Sequence, residues 1–395
     1  MSENKWMLAA AAAAAGELAA SCVSCYAEAW PVAAFAAVLS ALFGYGAALR
    51  GWRFACLFLA GAALFLHASV ERERGLQMCP WLRNRVERRA QGAICARLAP
   101  VRAELARRLS VGLERDDGAA ALNRAILLGE RGRLPSGMRR AFAASGAMHV
   151  FAVSGLHVTA VAGVLAILLR LVFFVPRRFA GVVALPAVWG YVCLIGAPPS
   201  SVRAALMASF CLLAPVFWRR PNLATAWAMT LLAVCVFEPL MVAEVGCMLS
   251  FTVMLALILA GSCAGRGVGP LAATLWMTSS AWLAGVPIAA RVFGHVTPGG
   301  LLANVVLIPA AGLTVVSGVV GVLAGFLSDG LAAHVNNLAA LLAGAMAGVA
   351  AVVARLPGAD IAVRPWSLAA CAAWYCGLLL LLAVLLAVRR RRRVL

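Results

Sequence analysis

His149, Ser154 and His157 stand in an apolar stretch long enough to cross a bilayer. Polar and titratable groups are costly at membrane depth and persist mainly where they face a bundle interior or a wet cavity. A helix that carries them lines something as well as crossing. Ser154 and His157 are three apart, so a continuous helix would set both on one face, and Gly155 beside Ser154 permits a kink. His149 lies about two turns earlier on the same span. Three uses are open. Serine and histidine can act as nucleophile and base, two histidines can ligate a metal, or the group can form a hydrogen-bonding lining for a polar solute. The catalytic use lacks a third orienting residue and an oxyanion motif. The metal use lacks H-E-x-x-H and a carboxylate nearby in sequence. The plainest use has Ser154 bonding its own helix and His157 making one interhelical hydrogen bond.

More polar positions follow in other apolar stretches. Pro198 and Pro199 start a helix that Ser200 and Ser201 can cap. Arg203 then falls in the first turn near the bilayer edge, where it snorkels to water or is fixed to face a phosphate. Glu238-Pro239 and Glu244 bracket another break, followed by Gly246, Ser250 and Phe251. Asn304 and Pro309 interrupt the span after Gly299-Gly300. Several broken, polar-studded spans suggest a pathway more than an anchor.

The elements that must position these residues are membrane helices. The chain has 395 residues, is 64% hydrophobic and only 12% charged, with a mean hydropathy of +0.94. Soluble domains are roughly half apolar and one quarter charged, so a soluble reading is set aside. Candidate spans fall at 6–22, 30–49, 54–70, 148–175, 179–197, 201–218, 222–237, 240–261, 270–290, 300–327, 331–354 and 366–388. The expected fold is an all-α polytopic membrane bundle of about 10–12 spans, some broken or re-entrant, with a short extracytoplasmic segment. No signal peptide is evident. With both termini cytoplasmic, the inside carries thirteen basic residues and the short outside loops four, which supports that orientation.

Residues 71–147 are the one long polar portion, Arg-rich and expected outside the cytoplasm. Asp116 and Asp117 can cap a helix over 118–129 that ends at Gly129, and Pro135 and Ser136 start an amphipathic helix over 137–144. The 119–147 piece is read as lying on the membrane surface, with a solvated helical hairpin as the other reading. The remaining parts are N-terminal membrane helices over 1–70, a membrane core over 148–388 and a basic cytoplasmic tail over 389–395.

The net charge is +19 with a single lysine, so the excess is almost all arginine. It reflects either a codon bias or an anionic partner such as lipid head groups or nucleic acid. Of the 12 cysteines, most sit in apolar runs as small core residues. Cys22 and Cys25 form a lone C-x-x-C without metal or redox context. Cys79 and Cys95 can pair as a disulfide if their segment is outside the cytoplasm. No metal and no cofactor is expected.

These stretches together resemble the ComEC competence family, the inner-membrane channel for DNA uptake in transformation. The likeness runs in order through Leu122-Asn123-Arg124-Ala125-Ile126-Leu127-Leu128-Gly129-Glu130, Met148-His149-Val150-Phe151 with Ser154-Gly155-Leu156-His157-Val158, and Gly196-Ala197-Pro198-Pro199-Ser200-Ser201-Val202-Arg203-Ala204. It continues through Glu238-Pro239 to Leu249-Ser250-Phe251, and Leu301-Leu302-Ala303-Asn304 to Pro309. It covers roughly 120–327. The resemblance implies a multi-pass protein of the bacterial inner membrane that passes single-stranded DNA, with His149, Ser154, Gly155, His157, Arg203, Glu244, Ser250 and Asn304 on the pathway or gate. Glu244 suits a polyanion only if it is paired, with Arg203 a candidate partner. Implied partners are a separate DNA receptor, a cytoplasmic ATPase or helicase and a separate nuclease; self-association is left open.

The chain departs from the family in two respects. The first polar segment shows no run of five alternating strands, so an OB-like domain looks reduced or absent. The C-terminal metallo-β-lactamase-like signature is missing, so a truncated, non-enzymatic member without nuclease activity is expected. No Walker motif supplies driving energy. An intramembrane Ser154/His157 hydrolase, or a degenerate member without transport, are the alternatives.

Overall fold

The computed structural model describes residues 96–391 except 115, 153, 238–240, 242–243 and 264–268. The spans expected at 6–22, 30–49 and 54–70, together with Cys79, Cys95, Glu238 and Pro239, lie outside the described residues. The described chain is a succession of helices: α1 over 96–108, α2 Asp117–Leu128, α3 Ser136–Ala144, α4 Gly155–Leu171, α5 Arg177–Leu194, α6 Pro199–Leu213, α7 Leu223–Phe237, α8 Val245–Cys263, α9 Pro270–Val292, α10 Gly299–Ala324, α11 Asp329–Ala354 and α12 Leu368–Arg391. Two-residue strands, β1 His295–Val296 and β2 Ile361–Ala362, pair antiparallel with His295 opposite Ala362. Five helical stretches are long and apolar enough to cross a membrane: Pro199–Phe217, Val245–Cys263, Pro270–Val292, Gly299–Ala324 and Asp329–Ala354. Shorter apolar helices run over Gly155–Leu171, Leu223–Cys235 and Leu368–Leu381. The protein is a multi-pass, all-α membrane bundle.

Two units interleave along the chain. Among the described residues, one takes 96–222 and 297–360, the other 223–296 and 361–391.

The spine of the first unit is the antiparallel pair α10 and α11, closed by a short turn over 325–328. Ala303, Leu307, Ala311 and Val315 recur every fourth residue on α10 and are wholly buried. Ala339, Ala343, Met346 and Ala350 answer them on α11. Small side chains let these backbones approach, which is what drives helix pairing when lipid is as apolar as leucine. Pro309 does not interrupt α10, contrary to the sequence expectation: the helix runs unbroken through it.

Helices α1 to α3 run along this spine. The Arg108 guanidinium lies 3.9 Å over the Phe326 ring, and Asn336 on α11 donates to the carbonyls of Arg108 and Val111. Further on, α2 closes on α10 where a methyl built on Gly318 would lie 2.5 Å from Leu127 Cδ2. Finally, Gly300 and Thr297, at the start of α10, meet Ser145 and Gly146. The chain from Arg108 to Gly146 thus passes from one end of the α10–α11 pair to the other. From Asn336 to Val353, which abuts Gly299, α11 rises roughly 26 Å at 1.5 Å per residue. Within 119–147, α3 is mostly exposed, whereas α2 is not. Leu122, Asn123, Ala125 and Ile126 on α2 are wholly buried and belong to the unit's interior. Its ends are as expected: the Asp116 carboxylate accepts from the Ala119 N–H at 2.9 Å, and Gly129 takes the left-handed C-cap at φ 71°.

The same unit holds a three-helix cluster of α4, α5 and α6. Val158, Ala162, Val188, Val192, Ala205 and Ala208 fill its centre. The Tyr191 hydroxyl donates to the Leu127 carbonyl at 2.7 Å and ties α5 to the end of α2.

In the second unit, indole and phenol groups clip helices through backbone carbonyls. Trp227 donates to Phe251 and Trp276 to Ala260. Pro287 lies inside α9 and has no N–H to offer the Leu283 carbonyl four residues back. Trp374 on α12 fills that vacancy, its Nε1 donating to Leu283 at 3.0 Å, and the Tyr375 hydroxyl donates to Ala284 at 2.9 Å. A freed carbonyl in an apolar setting is thereby satisfied from a neighbouring helix.

Candidate functional site

The span expected to start at 148 instead breaks before its first long helix. Met148–Phe151 forms a 3-10 turn, Ser154 is extended at φ −110° and ψ 179°, and α4 begins at Gly155. Ser154 and His157 therefore do not share the face of a continuous helix. Ser154 is the N-cap of α4 and His157 its third residue, whose ring reaches back. The Ser154 backbone N–H donates to His157 Nδ1 at 3.2 Å, and the Ser154 hydroxyl lies 3.2 Å from the same nitrogen. The pair is a capping arrangement with histidine in the place glutamate or glutamine usually takes.

That geometry fixes the tautomer. Nδ1 accepts, so the neutral ring carries its proton on Nε2. Nε2 is buried without a well-formed hydrogen bond, and the Ile126 backbone of α2 is the polar group facing the ring. Taking up a proton at Nδ1 would break the bond from the Ser154 N–H and leave a charge in an apolar interior. His157 is thus poorly placed as a base for Ser154.

Gly155 is exposed, with its Cα facing Ala204 of α6: a methyl built there would sit 3.8 Å from the Ala204 side chain. The next residue back is Arg203, which is only 5% exposed. Its guanidinium lies within the protein, so snorkelling to water is excluded. Pro198 is the N-cap of α6, with Ser200 and Ser201 inside the first turn; neither serine is the cap residue. His149 is exposed in the 3-10 turn, its Nδ1 3.2 Å from the Gly146 carbonyl oxygen, and shares no helix with His157. Asn304 is partly buried on α10, and its Oδ1 is enclosed with no hydrogen-bond partner. The other two predicted positions belong to the second unit. Glu244 is exposed just before α8, where its carbonyl accepts from the Cys247 and Met248 N–H groups, and Ser250 is half-buried on α8.

Sequence reasoning missed Asn123. It is 0% exposed on α2, and both its amide oxygen and its amide nitrogen are buried without partners. The signal was present as one amide inside the apolar run Ala119–Leu128, masked by Arg124 beside it. Helices α2 and α4 thus both pack on α10; Asn123 on α2 and Asn304 on α10 carry buried amide atoms without partners, and α4 carries the buried His157 ring. Each such group costs about 1–3 kcal/mol, and native proteins rarely keep them idle. Around them the chain is wholly cationic in its charge: from Arg131 to Phe237 it contains no aspartate or glutamate. Among the described residues no group of three or more His, Cys, Asp or Glu could hold a metal ion.

The comparisons with known proteins point one way. A model of the competence protein family matches residues 126–388, about two thirds of the chain. ComE operon protein 3 of Bacillus subtilis (strain 168) is 35% identical over 139 residues, and competence protein ComA of Neisseria gonorrhoeae is 36% identical over 157 residues. These stretches cover 35% and 37% of this chain and 18% and 22% of the two relatives, so the chain spans about a fifth of their length. No solved structure matches it. The matched region takes in α4, with its Ser154–His157 cap, and α6 and α10, and the chain belongs to the competence protein family.

Proposed function

We propose that this chain forms the bilayer path by which single-stranded DNA enters the cytoplasm across the bacterial inner membrane during natural transformation. The observation that carries the reading is the buried amide atoms without partners, those of Asn123 on α2 and Asn304 Oδ1 on α10, together with the buried His157 ring on α4, a helix that packs on α10 as α2 does. A polyanion needs a hydrated path with polar contacts that hold weakly enough to release. The carboxylate-free stretch from Arg131 to Phe237, with Arg203 inside it, removes repulsion along such a path. The name of one relative, competence protein ComA, agrees with a role in competence. A DNA receptor, a cytoplasmic ATPase or helicase and a separate nuclease are the partners this reading calls for, and the chain itself performs no catalysis.

The test uses Asn123→Leu and Asn304→Leu. Both remove an unsatisfied amide, so thermal stability in detergent stays level or rises, while DNA uptake falls at least about tenfold if those amides serve the passing strand. Uptake at the unaltered level in both variants, or in Arg203→Ala, would sink the proposal. Ser154→Ala separates it from an intramembrane hydrolase: the path tolerates loss of one hydroxyl, whereas a hydrolase loses turnover with its fold intact.

A further inference from the structure

Two turns of the first unit meet where helices leave the apolar layer. One joins α4 to α5 over 172–176; the other follows the candidate span Pro199–Phe217. Arg178 connects them. Its guanidinium lies 4.6 Å from the Phe179 ring centroid and 5.1 Å from that of Trp218. Arg177, Arg219 and Arg220 stand beside these residues in sequence, and all four guanidinium-bearing residues are exposed.

The aromatic residues here are held at a conformational cost. Phe174 at φ 52° and Trp218 at φ 55° occupy left-handed backbone, with Ala197 the other such non-glycine residue described. Bulky residues rarely adopt it, and such strain persists where the surroundings compensate. Yet Phe174 is 84% and Trp218 83% exposed, so no protein packing compensates. Aromatic rings with arginines at the end of an apolar span match the interfacial layer of a bilayer, where a ring is half in hydrocarbon and a guanidinium reaches phosphate. Among the described residues no carboxylate forms a salt bridge with any of the four arginines, and the nearest acidic residues in sequence are Glu130 and Glu238.

We propose that these two turns form a binding site for the phosphate of an anionic phospholipid, with Arg177, Arg178, Arg219 and Arg220 as its cationic wall and Phe174 and Trp218 inserted among the acyl chains. The ring contacts hold Arg178 in place, so its guanidinium is pre-oriented before a lipid arrives. The site stands whatever the protein transports.

The full chain, purified in a mild detergent, is given equal amounts of phosphatidylglycerol and phosphatidylcholine, and retained lipid is read by native mass spectrometry. Wild type is expected to retain phosphatidylglycerol preferentially, and each arginine neutralised to glutamine at positions 177, 178 and 219 should cut that preference about fivefold. Arg139→Gln/Arg140→Gln, on α3, should leave it unchanged. Arg178→Lys retains the charge but loses much of the ring stacking, so it should fall between. Unaltered elution and melting temperature exclude unfolding as the cause of any loss, and Arg219→Gln/Arg220→Gln supplies a second test should Arg177→Gln or Arg178→Gln unfold. Equal retention of the two lipids by wild type, or an undiminished preference in the arginine variants, overturns the proposal. Displacement of the lipid by millimolar inorganic phosphate would mark a free-anion site, and displacement by a single-stranded oligonucleotide a nucleic-acid site; either result overturns it as well.

Discussion

Asn336 on α11 reaches 228 residues back along the chain, where its Nδ2 donates to the Arg108 carbonyl at 2.7 Å and to that of Val111 at 3.0 Å. One amide thereby bonds two carbonyls where α1 ends, that of Arg108, which also accepts from the Val111 N–H, and that of Val111, and it pins the start of the segment that runs along the α10–α11 pair. Asn336→Ala removes both bonds and leaves the Val111 carbonyl without its side-chain donor, so unfolding in detergent should show a loss of about 1–3 kcal/mol. Gly321→Ala should also destabilise, because the added methyl would fall 2.5 Å from Asn336 Oδ1.

The path of residues 109–146 makes a topological prediction. Glu114 lies near the end of α10–α11 that holds the 325–328 turn, and His149 near the opposite end. In a cysteine-free background, Glu114→Cys should react with a membrane-impermeant maleimide from the same side as Leu327→Cys. His149→Cys should react from the other side. Labelling of Glu114→Cys and His149→Cys from one side alone would contradict the traverse.

The clasp of Trp374 on Leu283 has a measurable worth. Trp374→Phe retains an aromatic ring but withdraws the donor from a carbonyl that Pro287 cannot serve. A loss of about 1–3 kcal/mol is expected for the orphaned group. Combining it with Pro287→Ala, which restores the helix's own donor, should recover most of that loss. A Trp374→Phe protein as stable as wild type would show that the clasp contributes nothing.

Glu104 gives the α1 surface a pH dependence. Arg107 donates to its carboxylate with both Nε and a terminal nitrogen at 2.8 Å, and Arg108 Nε donates at 2.7 Å. The hydrogen bonds from Arg107, helped by Arg108, hold the carboxyl at about 2 against its ordinary 4.5. A depressed acid stabilises the fold above its unfolded value and loses that contribution as pH falls from about 4.5 to about 2. The melting temperature of Glu104→Gln should therefore lie slightly below wild type at pH 7 and converge with it near pH 2. A gap that does not shrink on acidification contradicts the assignment.

Much of this architecture was legible before any coordinates. Asp116, Gly129 and Pro135 announced the ends of α2 and the start of α3 because capping is local chemistry. Apolar length placed α7 to α12 close to where they lie. Pro309 misled, since a proline breaks a helix only if the freed carbonyl and ring cannot be accommodated, and that depends on neighbours the local sequence does not name. The burial of Arg203 and Asn123 was hidden for a related reason. Periodicity says which residues share a face but not whether that face meets protein or lipid, and in an alanine-rich helix such as α2 every face is apolar enough for either. The Ser154–His157 contact was foreseen, yet from the wrong backbone, because the helix starts only at Gly155, which turns an interior pair into a cap.

The interleaving of the two units has a consequence for biosynthesis. Helices α1 to α6 leave the ribosome well before α10 and α11, separated by the 74 residues of 223–296. At 5–20 residues per second that interval is roughly 4–15 s. For that time the apolar flank of α2 and the Asn123 amide have no spine to cover them. The nascent chain should then crosslink to the insertion machinery or a chaperone through α2, and release should coincide with synthesis of α11 rather than with the end of the first six helices.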